Sequence, residues 1–207
     1  MKPIDLPPDP PTDLEGPPMP ALVSGTSQEF ASGQALPRTI RSRTMVFVLG
    51  PVGVGKTTVA RSLAGDDARY LSDAEVIEAL NAYARERSWS EELVHFSDVV
   101  LECPCFLSRR PSALRALQTL LRARSGGGRR TVMCEAESGT PLEDLMAVVH
   151  PQYRATVVLR FPVGKGRKRF ALRVCEELGL EASCAADTEH IEPWTYAAVR
   201  SAINTRS

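Results

Sequence analysis

The sequence predicts an α/β fold, in which helices cover both faces of a parallel five-stranded sheet and a small helical lid follows the sheet. Short apolar runs rich in β-branched residues alternate with longer segments of helical periodicity, as in parallel sheets. A glycine-rich segment, residues 50–57, lies between the first apolar run and the first helical segment. After Pro162 only helical patterns remain, which predicts the lid.

The composition of the first 43 residues predicts a disordered tail that is separate from the folded domain. Residues 1–38 hold nine of the sixteen prolines, with glycine, serine and scattered acids between them. Such a segment buries too little apolar area to offset its ordering entropy. It would serve either as a solubilising extension or as a docking arm for a protein partner. The expected organisation is therefore a tail at 1–43, an α/β core at 44–162 and a helical lid at 163–207.

Composition narrows the possible partners and the compartment. The chain carries 25 basic and 25 acidic side chains, so net charge gives no argument for nucleic acid or an anionic membrane. Its five cysteines follow no regular framework, which favours reduced thiols. No apolar stretch has the length of a signal segment or a membrane span. These features predict a cytoplasmic protein without a membrane partner.

Apolar runs and helical spacing give the expected bounds of the strands and helices in the core and the lid. Strands are expected at residues 45–49, 69–72, 98–101, 131–134 and 156–159. Helices are expected at residues 57–64, 73–84, 111–125, 142–149, 167–178 and 194–204. Ser72 or Asp73 can cap the second helix, because short polar side chains accept from the first helical amides. Gly65 and Gly179 are placed where helices commonly end.

The segment Gly50–Thr57 matches the pattern G-x-x-x-x-G-K-[ST], and it follows a strand and precedes a helix as a phosphate-binding P-loop must. Its glycines allow backbone angles that turn successive amides toward phosphate oxygens. Lys56 would reach the terminal phosphates, and the Thr57 hydroxyl would bind Mg²⁺. The sequence thus predicts ATP and Mg²⁺ as cofactors. The predicted nucleotide-binding residues are Gly50, Pro51, Val52, Gly53, Val54, Gly55, Lys56, Thr57 and Thr58.

Glu102 is the predicted second magnesium ligand, because it follows the apolar run at 99–101 at the end of a neighbouring strand. Glu102 and Lys56 are also the predicted catalytic residues. Many ATPases place a second, water-polarising acid next, where this chain has Cys103 followed by Pro104. A neutral thiol is a poor base, so nucleotide binding should be better preserved than hydrolysis. The expected enzyme activity is at most a weak ATPase.

From about residue 44 to residue 204 the chain resembles the AAA+ ATPases of the DnaA type. The P-loop is the specific motif of this resemblance. The other segments support it by their order and spacing along the chain. The resemblance implies an AAA+ fold and ATP binding. Its other segments are Tyr70–Glu75, Ser97–Glu102 at the Walker B place, Arg129–Met133 before sensor 1, the strand at 157–162, the helix Arg167–Gly179 and the closing Val199–Asn204.

The chain departs from that family at several functional positions. Glu102 stands alone at the Walker B place, and the sensor 1 place reads Cys134–Ala136. The family's phosphate-sensing lid arginine would fall near Ala197, whereas Arg200 lies three residues later. Arg154 is near the place of an arginine finger. The family's DNA-binding domain is absent from this chain, so the resemblance does not imply DNA binding.

Three functions remain open at the level of sequence. The first is a nucleotide-dependent interaction module, whose partner binds through the tail or by self-association. The second is a small-molecule kinase, in which Asp73 accepts a substrate hydroxyl proton and the basic run Lys165–Arg169 closes over phosphates. The third is an ordinary ATPase motor subunit, which Cys103 disfavours.

Overall fold

The chain forms a six-stranded, fully parallel sheet with helices on both faces. The structure, a computed structural model, describes residues 21–26, 30, 38–102, 110–135, 140–163, 165–185, 188, 191 and 195–204. The strands are β1 (Ala21–Gly25), β2 (Met45–Leu49), β3 (Arg69–Leu71), β4 (Asp98–Glu102), β5 (Arg130–Glu135) and β6 (Arg154–Leu159). The helices are α1 (Arg38–Arg41), α2 (Lys56–Ala64), α3 (Asp73–Glu86), α4 (Glu91–His95), α5 (Pro111–Gly126), α6 (Thr140–Ala147), α7 (Lys165–Glu177) and α8 (Tyr196–Asn204).

The spatial order of the strands is β1-β6-β2-β5-β4-β3. The predicted α/β class is confirmed, and each of the five predicted strands is present, with bounds that differ by at most two residues. The helix after β3 begins where its cap was expected. Ser72 accepts from the Glu75 amide while the Glu75 carboxylate accepts from the Ser72 amide, a reciprocal capping box.

The sixth strand, β1, comes from the segment predicted to be a disordered tail. It runs parallel to β6, with Ala21 opposite Ala155 and Gly25 opposite Leu159. Phe30 and Ile40 are also buried in the core, with exposures of 1% and 0%. The prediction of disorder is therefore wrong for residues 21–25 and 38–41, which form β1 and α1. Composition averaged over a proline-rich stretch hides apolar runs this short.

Alternating side chains of the central strand divide the core into two layers. Met45 and Phe47 of β2 pack with α3, α4, α5 and α6 on one face of the sheet. Val46 and Val48 pack with α1 and α2 on the other face. All four side chains are fully buried, as expected for a parallel strand covered on both sides. The sheet is thereby a fixed platform for the loops at its carboxyl edge.

The predicted helical lid has its own small core. Val174 of α7 packs with Val199 and Ile203 of α8, and Ala185 of a 3-10 turn (Ala182–Ala185) completes the cluster. Phe161 contacts both this cluster and the α2 side of the sheet. This shared aromatic residue joins the lid to the platform.

One buried cation organises the opposite, amino edge of the sheet. Arg124 of α5 is 0% exposed, and its guanidinium donates to the carbonyls of Leu93 (2.6 Å), Phe96 (3.0 Å) and Arg130 (2.6 Å). Its Nε donates to the Thr131 hydroxyl at 2.8 Å. Burial, and secondarily the charge of a neighbouring arginine, lower its pKa to about 10. Arg124 thus joins α4, a helix that the sequence did not predict, to β5.

Candidate nucleotide-binding site

The predicted P-loop lies at the carboxyl edge of the sheet, between β2 and α2. Gly50, Gly53 and Gly55 have φ values of 151°, 78° and 93°, in the region that favours glycine. Gly55 is the N-cap of α2 in the left-handed conformation. The amino end of α2, which carries partial positive charge, therefore begins directly at the loop.

Two of these glycines also make close contacts that leave no room for a side chain. A Cβ atom at Gly50 would lie 2.7 Å from the Leu159 carbonyl oxygen at the end of β6. A Cβ at Gly53 would lie 2.9 Å from Cβ and Cγ2 of Thr195. The Thr195 hydroxyl accepts from the Ala198 amide and so caps α8. The last lid helix therefore begins against the P-loop.

The Lys56 side chain lies along the loop that precedes it. Its Nζ donates to the carbonyl oxygens of Gly50 and Pro51 at 2.9 Å and 3.0 Å. These contacts hold an ammonium group at the loop, where the pattern of the motif would place phosphate oxygens. Val52, at the tip of the loop, is 77% exposed.

The structure brings together the two residues that the sequence singled out as magnesium ligands. The Thr57 hydroxyl donates to Glu102 Oε1 at 2.7 Å, and both side chains are half-buried. Glu102 is held at the end of β4, where it pairs in register with Cys134 of β5. A hydroxyl and a carboxylate are hard oxygen donors that suit Mg²⁺, which usually takes few protein ligands and completes its shell with water and phosphate. The residues present thus fit this ion.

Tyr70 is a member of the site that the sequence did not identify. Its phenol lies close enough to the side chains of Glu102 and Thr57 to interact with both. Burial, with the adjacent Glu102 carboxylate as the next cause, raises the pKa of Tyr70 well above its usual value of 10.0. The phenol therefore remains protonated and able to donate at neutral pH.

Asp73 lies beside this group at the first position of α3. Although the residue is solvent-exposed, partial desolvation of its carboxyl and the neighbouring Glu102 charge raise its pKa above 3.8. A second acid is therefore within electrostatic reach of Glu102. This arrangement matters for the kinase interpretation of the sequence.

Other predicted functional residues are distributed differently. Cys103 and Ala136 lie outside the described residues, so the described structure bears on neither the missing Walker B acid nor the last sensor 1 position. Arg200 is exposed on α8. Arg154 is half-buried and donates to the Met146 carbonyl of its own chain, while its Nε has no hydrogen-bond partner among the described residues. Lys168 is exposed in α7, as expected for the basic run.

No family model matches the sequence, and no curated protein matches it either. Solved structures are nevertheless similar in fold. Domain III of the Thermotoga maritima replication initiation protein DnaA aligns with a TM-score of 0.62 and 17% identity, over 86% of this chain and 78% of that domain. A DnaA bound to AMPPCP and single-stranded DNA gives a TM-score of 0.62 and 14% identity, over 81% of this chain and 56% of the other.

AMPPCP-bound DnaA from Aquifex aeolicus gives a TM-score of 0.53 and 16% identity, over 67% of this chain and 47% of that protein. The chain thus spans about half the length of the two longer DnaA structures. At these identities the likeness establishes the fold alone.

Proposed function

We propose that this chain, which has the P-loop fold of the DnaA-type AAA+ proteins, binds a nucleoside triphosphate with Mg²⁺ and acts as a nucleotide-dependent interaction module. The observation that carries the proposal is the 2.7 Å hydrogen bond from Thr57 to Glu102, directly below a P-loop with three glycines at positive φ. Two of the similar DnaA structures hold the nucleotide analogue AMPPCP, which supports a nucleotide as the ligand.

The chemistry of the loop suits a polyphosphate. Backbone amides of residues 52–58, the amino end of α2 and the Lys56 ammonium would provide the positive potential. Thr57 and Glu102 would hold Mg²⁺, which supplies charge neutralisation between the terminal phosphates. We expect only weak hydrolysis, because Cys103 follows Glu102 in the sequence where many ATPases have a second carboxylate.

A binding measurement tests this proposal without reference to catalysis. ATP affinity should be measured by calorimetry with excess Mg²⁺ and again with EDTA, for the wild type and for Lys56→Ala. The matched control is Arg122→Ala, which removes one positive charge from an exposed site on α5. We expect binding in the wild type and in the control, and a large loss in Lys56→Ala. Absence of ATP and GTP binding to the wild type would contradict the proposal.

A module of this kind also needs a partner that senses the nucleotide state. Candidates are a protein that docks on the N-terminal tail, a second copy of the chain, and single-stranded DNA, which is present in one of the similar DnaA structures. That structure leaves the sequence-based expectation against DNA binding without support. Sedimentation with and without AMPPCP, and anisotropy of a labelled single-stranded oligonucleotide, would separate self-association from DNA binding.

A second candidate function is phosphotransfer to a small molecule. It is favoured by the position of Asp73, which heads α3 next to the Glu102 carboxylate. An acid at this place can accept the proton of a substrate hydroxyl that attacks the terminal phosphate. A panel of small alcohols and phosphate acceptors, assayed for ATP-dependent phosphorylation, tests it. Acceptor-dependent turnover that Asp73→Asn abolishes would favour the kinase over the interaction module.

A further inference from the structure

Hydrogen-bond donors without acceptors are concentrated at the amino edge of the sheet, opposite the P-loop. Among the described residues, the buried side-chain nitrogen and oxygen atoms that lack a partner all belong to Arg43, Arg130 and Arg154. Arg130 and Arg154 are the first residues of β5 and β6, and Arg43 lies two residues before β2, the strand between them. A buried donor without an acceptor costs free energy, and a charged donor costs more. The free energy of this edge would therefore fall if an acceptor bound there.

Arg130 carries the strongest part of this pattern. Its Nε and Nη2 are both buried and have no hydrogen-bond partner among the described residues. These two nitrogens share one edge of the planar guanidinium, where parallel N–H bonds form the fork that binds two oxygens of a carboxylate or a phosphate. Asp98 lies opposite Arg130 in the β4–β5 register, yet it satisfies neither nitrogen. Since part of the residue is exposed, an anion from solvent can approach this side chain.

Neighbouring arginines add positive charge at the same place. Arg130 and Arg43 each precede one partner of a 2.7 Å backbone hydrogen bond that joins the two strand ends, so their chain segments lie about 5 Å apart. Arg130 alternates with Val132 along β5 and so lies on the face of the sheet that α1 covers, and α1 ends at Arg41. Burial lowers the pKa of Arg130, the Asp98 carboxylate raises it, and the Arg41 charge lowers it further. Three guanidinium groups and one carboxylate leave a charge of +2 (3 − 1), which a phosphate dianion balances better than a carboxylate does.

We propose that Arg130 and Arg43 form a second anion site, which binds a phosphate group at the amino edge of the sheet. The fork of Arg130 would hold two phosphate oxygens, and Arg43 would donate to a third. Arg154 belongs to the other face of the sheet, where it donates to the Met146 carbonyl of α6, and is not part of this site. The inference does not depend on the proposed function, because the P-loop lies at the carboxyl edge.

The test compares inorganic phosphate with chloride at equal pH and ionic strength, by melting temperature and by calorimetric titration. We expect phosphate to stabilise the wild type, and Lys56→Ala to retain this binding because the P-loop lysine takes no part in it. Arg130→Gln should weaken phosphate binding about 10- to 100-fold, which corresponds to the loss of charge-assisted hydrogen bonds. The matched control is Arg122→Gln, exposed on α5, which loses the same charge and should bind as the wild type does.

Two further variants separate the fork from simple charge and cover the case in which Arg130→Gln does not fold. Arg130→Lys keeps the charge and loses the paired N–H groups, so it should also bind phosphate more weakly. Arg43→Gln should cause a smaller loss, since it removes one donor. Wild-type affinity in a folded Arg130→Gln or Arg43→Gln protein would overturn the inference. So would a wild-type melting temperature that is the same in phosphate and in chloride, or complete loss of phosphate binding in Lys56→Ala, which would locate the anion at the P-loop.

A last measurement identifies the source of the phosphate group. Anisotropy of a labelled single-stranded oligonucleotide without a terminal phosphate is recorded for the wild type and for Arg130→Gln. Binding that Arg130→Gln weakens would identify the phosphodiester backbone of a nucleic acid as the ligand. Binding of inorganic phosphate without binding of the oligonucleotide would identify a small phosphorylated compound. Both results support the site, whereas oligonucleotide binding that Arg130→Gln leaves unchanged, together with unchanged phosphate affinity, would refute it.

Discussion

The Thr57 hydroxyl donates to Glu102 Oε1 at 2.7 Å, which joins the first turn of α2 to the end of β4 across 45 residues of sequence. Thr57→Val has nearly the same shape and lacks the hydroxyl. We expect it to weaken ATP binding in the presence of Mg²⁺ and to leave binding in EDTA close to wild type. Calorimetric titration under both conditions measures this. A loss of the same size in EDTA would assign Thr57 a role other than magnesium binding.

Binding of ATP at the proposed nucleotide site should stabilise the folded protein. At an ATP concentration one hundred times the dissociation constant, mass action should raise the free energy of unfolding by about 2.7 kcal/mol. Lys56→Ala should abolish most of this gain, because the phosphate loses its ammonium partner. Thermal melts over a wide range of ATP with Mg²⁺ measure the effect. A wild-type melting temperature that does not depend on ATP would contradict the proposal.

Gly50 should not tolerate a side chain. Its φ of 151° is strained for other residues, and a Cβ would lie 2.7 Å from a backbone carbonyl that cannot move aside easily. We therefore expect Gly50→Ala to lower both the melting temperature and ATP affinity. Gly126→Ala is the control, since it places a Cβ in open space at the end of α5 and should change stability by at most about 1 kcal/mol. Equal effects of the two substitutions would argue against a tight loop.

Arg124 should be a main determinant of stability. Its replacement by leucine would leave the carbonyls of Leu93, Phe96 and Arg130 without their buried donors. Each orphaned group costs about 1–3 kcal/mol, so we expect a total loss of about 3 kcal/mol or more. Chemical denaturation measures it. Arg122→Leu, exposed on the same helix, is the control and should stay near wild type; similar losses in both would refute the assignment.

The part of the N-terminal segment that follows residue 20 should contribute to the stability of the fold. A chain that lacks residues 1–38 loses β1 and the buried Phe30, so its melting temperature should fall clearly. Phe30→Ala alone should cost about 3–5 kcal/mol. Deletion of residues 1–20 is the control and should have little effect. A melting temperature equal to that of the wild type after deletion of residues 1–38 would show that β1 contributes little to stability.

Much of this structure was accessible from sequence because its signals are local. The apolar run Met45–Leu49 is the observed β2, and the motif after it is the observed loop. The proximity of Thr57 and Glu102 followed from a general rule, since carboxyl ends of parallel strands meet at one edge. The assignment of the two as ligands of Mg²⁺ remains a prediction.

Three features could not be predicted from the sequence because they depend on tertiary contacts. In the sequence Tyr70 is an ordinary strand aromatic, and only the tertiary structure places its phenol near Glu102 and Thr57. Arg124 falls on the apolar face of α5, three and four residues after Leu121 and Leu120, but arginine is seldom fully buried, so the sequence gives no reason to expect its burial. β1 has five residues, and its pairing partner β6 lies far along the chain.

The pairing of β1 with β6 has a consequence for biosynthesis. Ala21 lies opposite Ala155, so 134 residues separate the partners (155 − 21). The first strand to leave the ribosome must therefore wait for the last, and contacts this distant in sequence form late. Until then β1 and the side of β2 that pairs with β6 are unpaired, and such edges are templates for association with other chains. Translation order makes the insertion of β6 between β1 and β2 the last step in forming the sheet, and slow elongation would prolong the period of exposure.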